Sequence, residues 1–229
     1  MDQGLFHLIN ERWTNPVLDL FMAGLSNVEI WRPLLIGVLI FMLVFAGFKG
    51  RACTVCLLIT LLVSEQVTGL LKTAVDRHRP KQVQSVRLVE LQRTRPAFMT
   101  LFHKPTIRDS DASDRTRSGP SFPSGHVTNN TVIALCLMFF YRRGWLYWII
   151  AAAIGYSRIY LGAHWPSDVI ATFFLATGET LLILAGLEWL WRWGAPKWAP
   201  QLYARHPGLI VGQVFNLPDS QVENLRHNE

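Results

Sequence analysis

Five stretches of this 229-residue chain carry almost no charge, and they limit the fold more than any other feature. Pro33–Phe48 has no charged residue over 16 positions, Ala52–Leu71 only Glu65, and Val127–Tyr141 none. Gly144–Gly162 contains only Arg158, and Ser167–Leu187 only Asp168 and Glu179. A helix needs about 20 mostly apolar residues to cross a bilayer. Helices buried in a large soluble domain would alternate with polar faces, and these blocks do not. The expected fold is an all-α integral membrane protein, a bundle of about five transmembrane helices.

Charge between the blocks sets the expected orientation. Lys49 and Arg51 separate the first two blocks, Arg142 and Arg143 the third and fourth, and Arg192, Lys197 and Arg205 follow the fifth. Basic linkers favour the cytoplasmic side, so residues 72–126 and 157–168 fall together on the opposite face. Trp31, Trp145, Trp165, Trp189, Trp191 and Trp193 lie near the block ends, as an interfacial aromatic belt requires. The expected location is a bacterial-type inner membrane, with a multi-pass chain and its site on the periplasmic side.

Outside the blocks, three regions differ. Residues 1–32 mix apolar side chains with Glu11, Arg12, Asp19 and Glu29 and read as one or two amphipathic helices at the interface. They lack the basic, apolar and small-residue order of a signal peptide. Residues 81–119 hold eight Lys/Arg and four Asp/Glu and read as an extracytoplasmic insert within a catalytic domain of residues 33–193. Apolar residues in the insert (Val86, Leu88, Val89, Leu91, then Phe98, Met99, Leu101, Phe102) suggest short amphipathic helices. Residues 194–229 read as a loosely held cytoplasmic tail. Cys53, Cys56 and Cys136 all fall in apolar blocks and read as small buried residues, because zinc would need further local ligands.

The chemistry lies in three short stretches at block ends. In Phe122-Pro123-Ser124-Gly125-His126 a proline and a small pair precede an uncharged helix, an arrangement that offers free backbone N–H groups to an anion. Gly125 permits close backbone approach and Ser124 can cap or donate. Alone, this stretch also fits an ordinary helix cap. His164 and Asp168 are four residues apart, the spacing that stacks side chains on one helix face, so the carboxylate can fix the imidazole tautomer. Lys72, Arg79 and Arg158 arrive on the same side. Lys72 alone could snorkel to headgroups, but three cations can neutralise a phosphoryl group in flight, the work a divalent metal does elsewhere. No metal and no cofactor are expected.

The spacing K-x6-RP at Lys72–Pro80, PSGH at Pro123–His126 and SR-x5-H-x3-D at Ser157–Asp168 resembles the type 2 phosphatidic acid phosphatase (PAP2) superfamily, in its membrane lipid phosphatase branch. All three motifs match in order across about 100 residues. The resemblance implies that His164 attacks phosphorus to form a phosphohistidine, that Asp168 orients it, and that His126 protonates the leaving oxygen. It implies that Lys72, Arg79, Ser124, Gly125 and Arg158 hold the phosphate. The expected function is a metal-independent lipid phosphate or diphosphate phosphatase acting on undecaprenyl diphosphate or a glycerophospholipid phosphate such as phosphatidylglycerol phosphate or phosphatidic acid. Lipid A 1-phosphatase and lipid phosphotransferase are the alternatives. The bilayer and the lipid phosphate are the expected partners, with no nucleic acid. A soluble acid phosphatase or haloperoxidase would lack the uncharged blocks, and a lipid-binding or transport protein would need neither histidine.

Overall fold

The computed structural model describes residues 2–116 and 118–210. Helix α1 (Asp2–His7) runs into a π-turn (Leu8–Arg12), followed by α2 (Pro16–Ser26) and α3 (Val28–Val44). Then come α4 (Phe48–Val75), the short α5 (Pro80–Val83), strand β1 (Arg87–Glu90), a 3-10 helix (Ala97–Phe102), strand β2 (Thr106–Asp109) and α6 (Ala112–Thr116). Helices α7 (Gly125–Phe140), α8 (Tyr147–Tyr160), α9 (Pro166–Trp198) and α10 (Pro200–Arg205) complete the order.

Each uncharged block is built mainly on one helix; Pro33–Phe48 runs past the end of α3, and Gly144–Gly162 takes in a 3-10 turn (Gly144–Leu146) ahead of α8. By length and composition α4 and α9 can each cross a membrane, and α2 with α3 gives a third if that pair, bent by 48°, is taken as one span. Helices α7 and α8, with 16 and 14 residues, are shorter. The five-block reading is thus matched by five helices, of which two reach crossing length unaided.

Helix α7 is central and packs against α4, α8 and α9. Cys53, Cys56 and Leu57 of α4 meet Val132, Cys136 and Phe140 of α7 and Leu184 of α9 in one core cluster. All three cysteines are buried and free, as expected. Nearer the site the interface is small and polar: Thr60, Ser64 and Thr68 of α4, Thr128 and Thr131 of α7, and Thr172 and Thr180 of α9 are buried. Small side chains let helix backbones approach closely where burial in lipid supplies no hydrophobic drive. Outward faces are apolar, with Leu62, Leu70, Phe174 and Leu182 exposed, as helices in contact with lipid would be.

The two ends of the bundle differ. One end gathers the C-termini of α4 and α8 and the N-termini of α7 and α9, hence all three motifs. The other carries Lys49, whose ammonium lies 5.3 Å from the Tyr141 ring centroid, and Arg192, paired with Glu188.

Three expectations are corrected here. The insert is not built of short helices alone: from Val86 to Leu88 buried and outward side chains alternate with period two, and Arg87–Glu90 pairs antiparallel with Thr106–Asp109, Leu88 opposite Arg108 and Val89 opposite Ile107. Its inward face, Val86 and Leu88, joins Phe6, Ile9, Met22, Ile159, Tyr160 and Trp165 in a second core. Among the described residues the fold is therefore helical with one small hairpin, and the N-terminal segment and insert form a common cap over the site end. The tail is not loose as far as Ile210. Ile210 is buried in the first core and its amide donates to Glu188 Oε2 at 2.7 Å, while the His206 ring stacks on Phe48 at 4.0 Å. The remainder of the tail and Arg117 lie outside the described residues. The third correction is a border: α3 starts at Val28, because Asn27 caps it through Glu29 N at 3.0 Å, and Pro33 sits inside the helix.

Candidate active site

Local chain geometry brings the motifs together. Helix α8 ends at Tyr160, and Gly162, at φ +69°, turns the chain back; a Cβ there would lie 3.0 Å from Val86 Cγ2. Ala163 and His164 amides then donate to the Arg158 carbonyl at 3.0 and 3.2 Å, so the loop folds onto the end of α8. His164 is 3% exposed. Burial pushes its imidazole well below the ordinary histidine value, and Arg79 and Arg158 push the same way. The ring is therefore neutral at pH 7 and carries a lone pair.

Asp168 is not hydrogen-bonded to His164 among the described residues. Pro166 starts α9, so His164 precedes the helix and the four-residue stacking rule does not apply. The Asp168 carboxylate instead folds back on its own helix start. Oδ2 accepts from the Trp165 amide at 3.0 Å and from the Ser121 hydroxyl at 2.5 Å, and Oδ1 accepts from Arg77 Nη1 at 2.6 Å. Ser121 Oγ lies 3.5 Å from His164 Nδ1, so Ser121 links the two. Arg77 also reaches Ser167 Oγ at 2.9 Å and Asp2 Oδ2 at 2.8 Å, and Asp2 in turn accepts from the Ser167 amide and hydroxyl.

Arg79 staples two loops. Its Nε donates to the Gly119 carbonyl at 2.9 Å, Nη2 to Pro120 at 3.2 Å and Nη1 to Ala163 at 3.3 Å. This fixes the chain ahead of PSGH against the chain ahead of His164, with the planar fork that lysine lacks. Arg158 Nη1 donates to Ser26 Oγ, and its Nε is buried with no partner among the described residues. His126 Nε2 lies 3.2 Å from the Ser26 carbonyl. Arg158, Arg79 and Lys72 all act electrostatically on His126, which brings Lys72 into the same field.

Helix α7 opens as the sequence led one to expect. Ser124 is its N-cap, with its amide held by Thr172 Oγ1 at 3.0 Å, but its buried hydroxyl makes no cap bond and has no partner among the described residues. A Cβ on Gly125 would meet no atom within 4 Å, so protein packing does not require glycine there. Two buried donors without acceptors, Arg158 Nε and Ser124 Oγ, on two residues assigned to phosphate, are what an anionic ligand would satisfy.

The structure thus gathers His126, His164, Arg79, Arg158, Ser124, Gly125 and Lys72 at one end, with Asp168 one residue removed from the histidine it was paired with. The sequence reading did not use Ser121, Ser26, Asp2 or Arg77. Arg77 lies inside the first motif, so its position was a signal. A serine such as Ser26, about 100 residues from the motif it serves, carries none.

Residues 89–192 match the model of the PAP2 superfamily. A lipid A 4'-phosphatase of Bacteroides thetaiotaomicron is 27% identical over 162 residues, which cover 69% of this chain and 64% of that protein. The undecaprenyl-diphosphatase BcrC of Bacillus subtilis is 39% identical over 57 residues, 24% of this chain and 30% of that protein. The crystal structure of Aquifex aeolicus LpxE superposes with a TM-score of 0.57 at 25% identity, covering 80% of this chain and 94% of that one. That of a transmembrane PAP2-type phosphatidylglycerolphosphate phosphatase from Bacillus subtilis gives 0.54 at 21% identity, covering 81% and 86%, and speaks for the fold alone. With PSGH and SR-x5-H-x3-D inside the matched residues and the lysine–arginine motif brought to them by the fold, residues 89–192 carry a PAP2 superfamily domain.

Proposed function

We propose that this protein is a membrane-embedded lipid phosphate hydrolase that works through a phosphohistidine on His164. The observation that carries the reading is the pair of buried, unsatisfied donors, Arg158 Nε and Ser124 Oγ, beside a buried neutral imidazole. Ser121 at Nδ1 directs the proton there, so Nε2 carries the lone pair. In the first step the Nε2–P bond forms and the P–O bond to the lipid breaks, while His126 protonates the departing oxygen. In the second, water attacks phosphorus, His126 takes its proton, the N–P bond breaks and phosphate leaves. Arg79, Arg158 and Lys72 neutralise the equatorial oxygens, and the N-terminus of α7 adds its amides. Asp168 acts on His164 through Ser121.

The substrate is a phosphate carried on a lipid. The match to a lipid A 4'-phosphatase extends over 69% of this chain, which favours a phosphate of lipid A over undecaprenyl diphosphate or a glycerophospholipid phosphate. The bundle of five helices lies in a bacterial inner membrane with the basic end cytoplasmic and the site on the periplasmic face. The insert forms a lip at the interface: its 3-10 helix packs on α3 and exposes Phe98, Met99 and Phe102 beside the apolar face of that helix.

Phosphate release by the purified protein from lipid A, undecaprenyl diphosphate, phosphatidylglycerol phosphate and phosphatidic acid tests the reading, together with acid-labile, base-stable label on His164. Release from none of the four, with no label, would refute it. Label without release until a second lipid is added would identify a phosphotransferase.

A further inference from the structure

We propose that Ser26, the last residue of α2, is a positioning residue for the reaction, holding His126 by its carbonyl and Arg158 by its hydroxyl. The proposal rests on the phosphohistidine reading and deepens it. The final carbonyls of a helix have no partner within it and carry the negative end of its dipole. Here one of them, Ser26 O, lies 3.2 Å from His126 Nε2, and the hydroxyl of the same residue accepts from Arg158 Nη1. Ser26 is 7% exposed, so neither contact is shared freely with water.

A carbonyl only accepts, so the contact places a proton on Nε2 and leaves Nδ1 to exchange protons with the reaction. In the first step imidazolium Nδ1–H passes to the leaving oxygen as the P–O bond breaks, and Nε2–H stays on Ser26. In the second step the Nδ1 lone pair receives the proton of the attacking water. The helix end does for His126 what an orienting carboxylate does for the histidine of a Ser-His-Asp triad: it fixes the tautomer and the direction of the ring. The hydroxyl fixes one arm of Arg158 and leaves Nε, which is buried and unpartnered, for a phosphoryl oxygen.

The corner that presents Ser26 is pinned. Trp31 Nε1 donates to the Gly24 carbonyl at 3.0 Å, and Leu101 Cδ2 sits where a Gly24 Cβ would come within 2.6 Å of it. Asp19, earlier on α2, accepts from Tyr160 and Arg87, both at 2.7 Å. The bend between α2 and α3 is thus tied to α8 and to the insert, as a device for positioning would need.

The test compares Ser26→Ala and Ser26→Thr with the parent on a soluble phosphate ester and on orthovanadate. Loss of a hydrogen bond to a charged group should raise KM and the vanadate inhibition constant by roughly tenfold in the alanine variant. Threonine keeps the hydroxyl and should restore both to near the parent, with melting temperatures of all three alike. If Ser26→Ala does not fold, Ser26→Cys, close in size but a weak acceptor, should show the same rise. Constants unchanged in the alanine variant, or threonine as impaired as alanine, would overturn the proposal. A parent that neither hydrolyses the ester nor binds vanadate would instead bring down the phosphoryl-transfer reading, and the role of Ser26 with it.

Discussion

Ser121 stands between His164 and Asp168, its hydroxyl donating to the carboxylate at 2.5 Å and lying 3.5 Å from His164 Nδ1. A three-member chain of histidine, serine and carboxylate makes a specific claim about substitutions. Ser121→Ala should lower kcat by about 10- to 100-fold while vanadate still binds, because the tautomer is no longer imposed but the cations remain. His164→Ala should lower turnover by at least about a thousandfold and abolish the phosphoenzyme. Single-turnover labelling separates the two: the serine variant labels slowly, the histidine variant not at all.

The depressed proton affinity of His164 has a signed consequence for pH. The nucleophile is the neutral ring, so activity rises as pH passes upward through its pKa, and that limb should lie well below 6.5. Arg79 is among the causes of the depression, so Arg79→Ala should move the limb to higher pH as well as reduce its height. A kcat/KM profile on a soluble ester from pH 3 to 8 reads the position of the limb independently of the amplitude.

Asp19 is 1% exposed and binds Arg87 of the insert and Tyr160 of α8. Removing it leaves Arg87 without its charge partner, and Asp19→Ala should destabilise the protein by about 3 kcal/mol. Thermal unfolding in detergent measures this. The same contacts mean that exchanging Ser85–Arg115 for a short linker would strip Val86 and Leu88 from the core, so the insert must be probed by point changes.

Phe98 and Phe102 are 54% and 77% exposed on the 3-10 helix of the insert. A Phe98→Ser/Phe102→Ser variant should retain hydrolysis of a small soluble ester and lose several-fold in kcat/KM on long-chain lipids in vesicles, since buried aromatic area at the interface is lost. Equal losses on both substrates would make the segment structural.

Orientation can be read with single cysteines in a background lacking Cys53, Cys56 and Cys136. Ser85 and Thr106 are exposed on the insert and should label with an impermeant reagent in intact cells; Arg143, exposed at the opposite end, should not. Gly144 is unsuitable, because a Cβ there would fall 1.9 Å from the Leu137 carbonyl oxygen. The reverse pattern would put the site in the cytoplasm.

What was legible in the sequence follows from locality. The helices announce themselves in uncharged runs, and the motif residues in local spacing. The insert misled because apolar content was read without its period: Val86 and Leu88 flank Arg87 at a spacing of two, and Val89 is β-branched, which are strand signals. The His164–Asp168 pairing misled because Pro166 puts the histidine outside the helix whose geometry was invoked. Leu209 and Ile210 lie in a polar tail, and only the opening between α4, α7 and α9 gives them a place. Ser26 and Ser121 act through contacts set by tertiary structure, and no spacing rule reaches them.

The three carbonyls gripped by Arg79 have a consequence for engineering. One side chain sets the gap between the two histidine loops, so neither loop is an independent cassette. Transplanting PSGH and the His164 loop onto another helical scaffold would import the reacting groups without the spacer that keeps them in register. The smallest portable unit has three segments, and a library that diversifies Gly119–Ser121 or Ala163 should hold position 79 fixed as arginine.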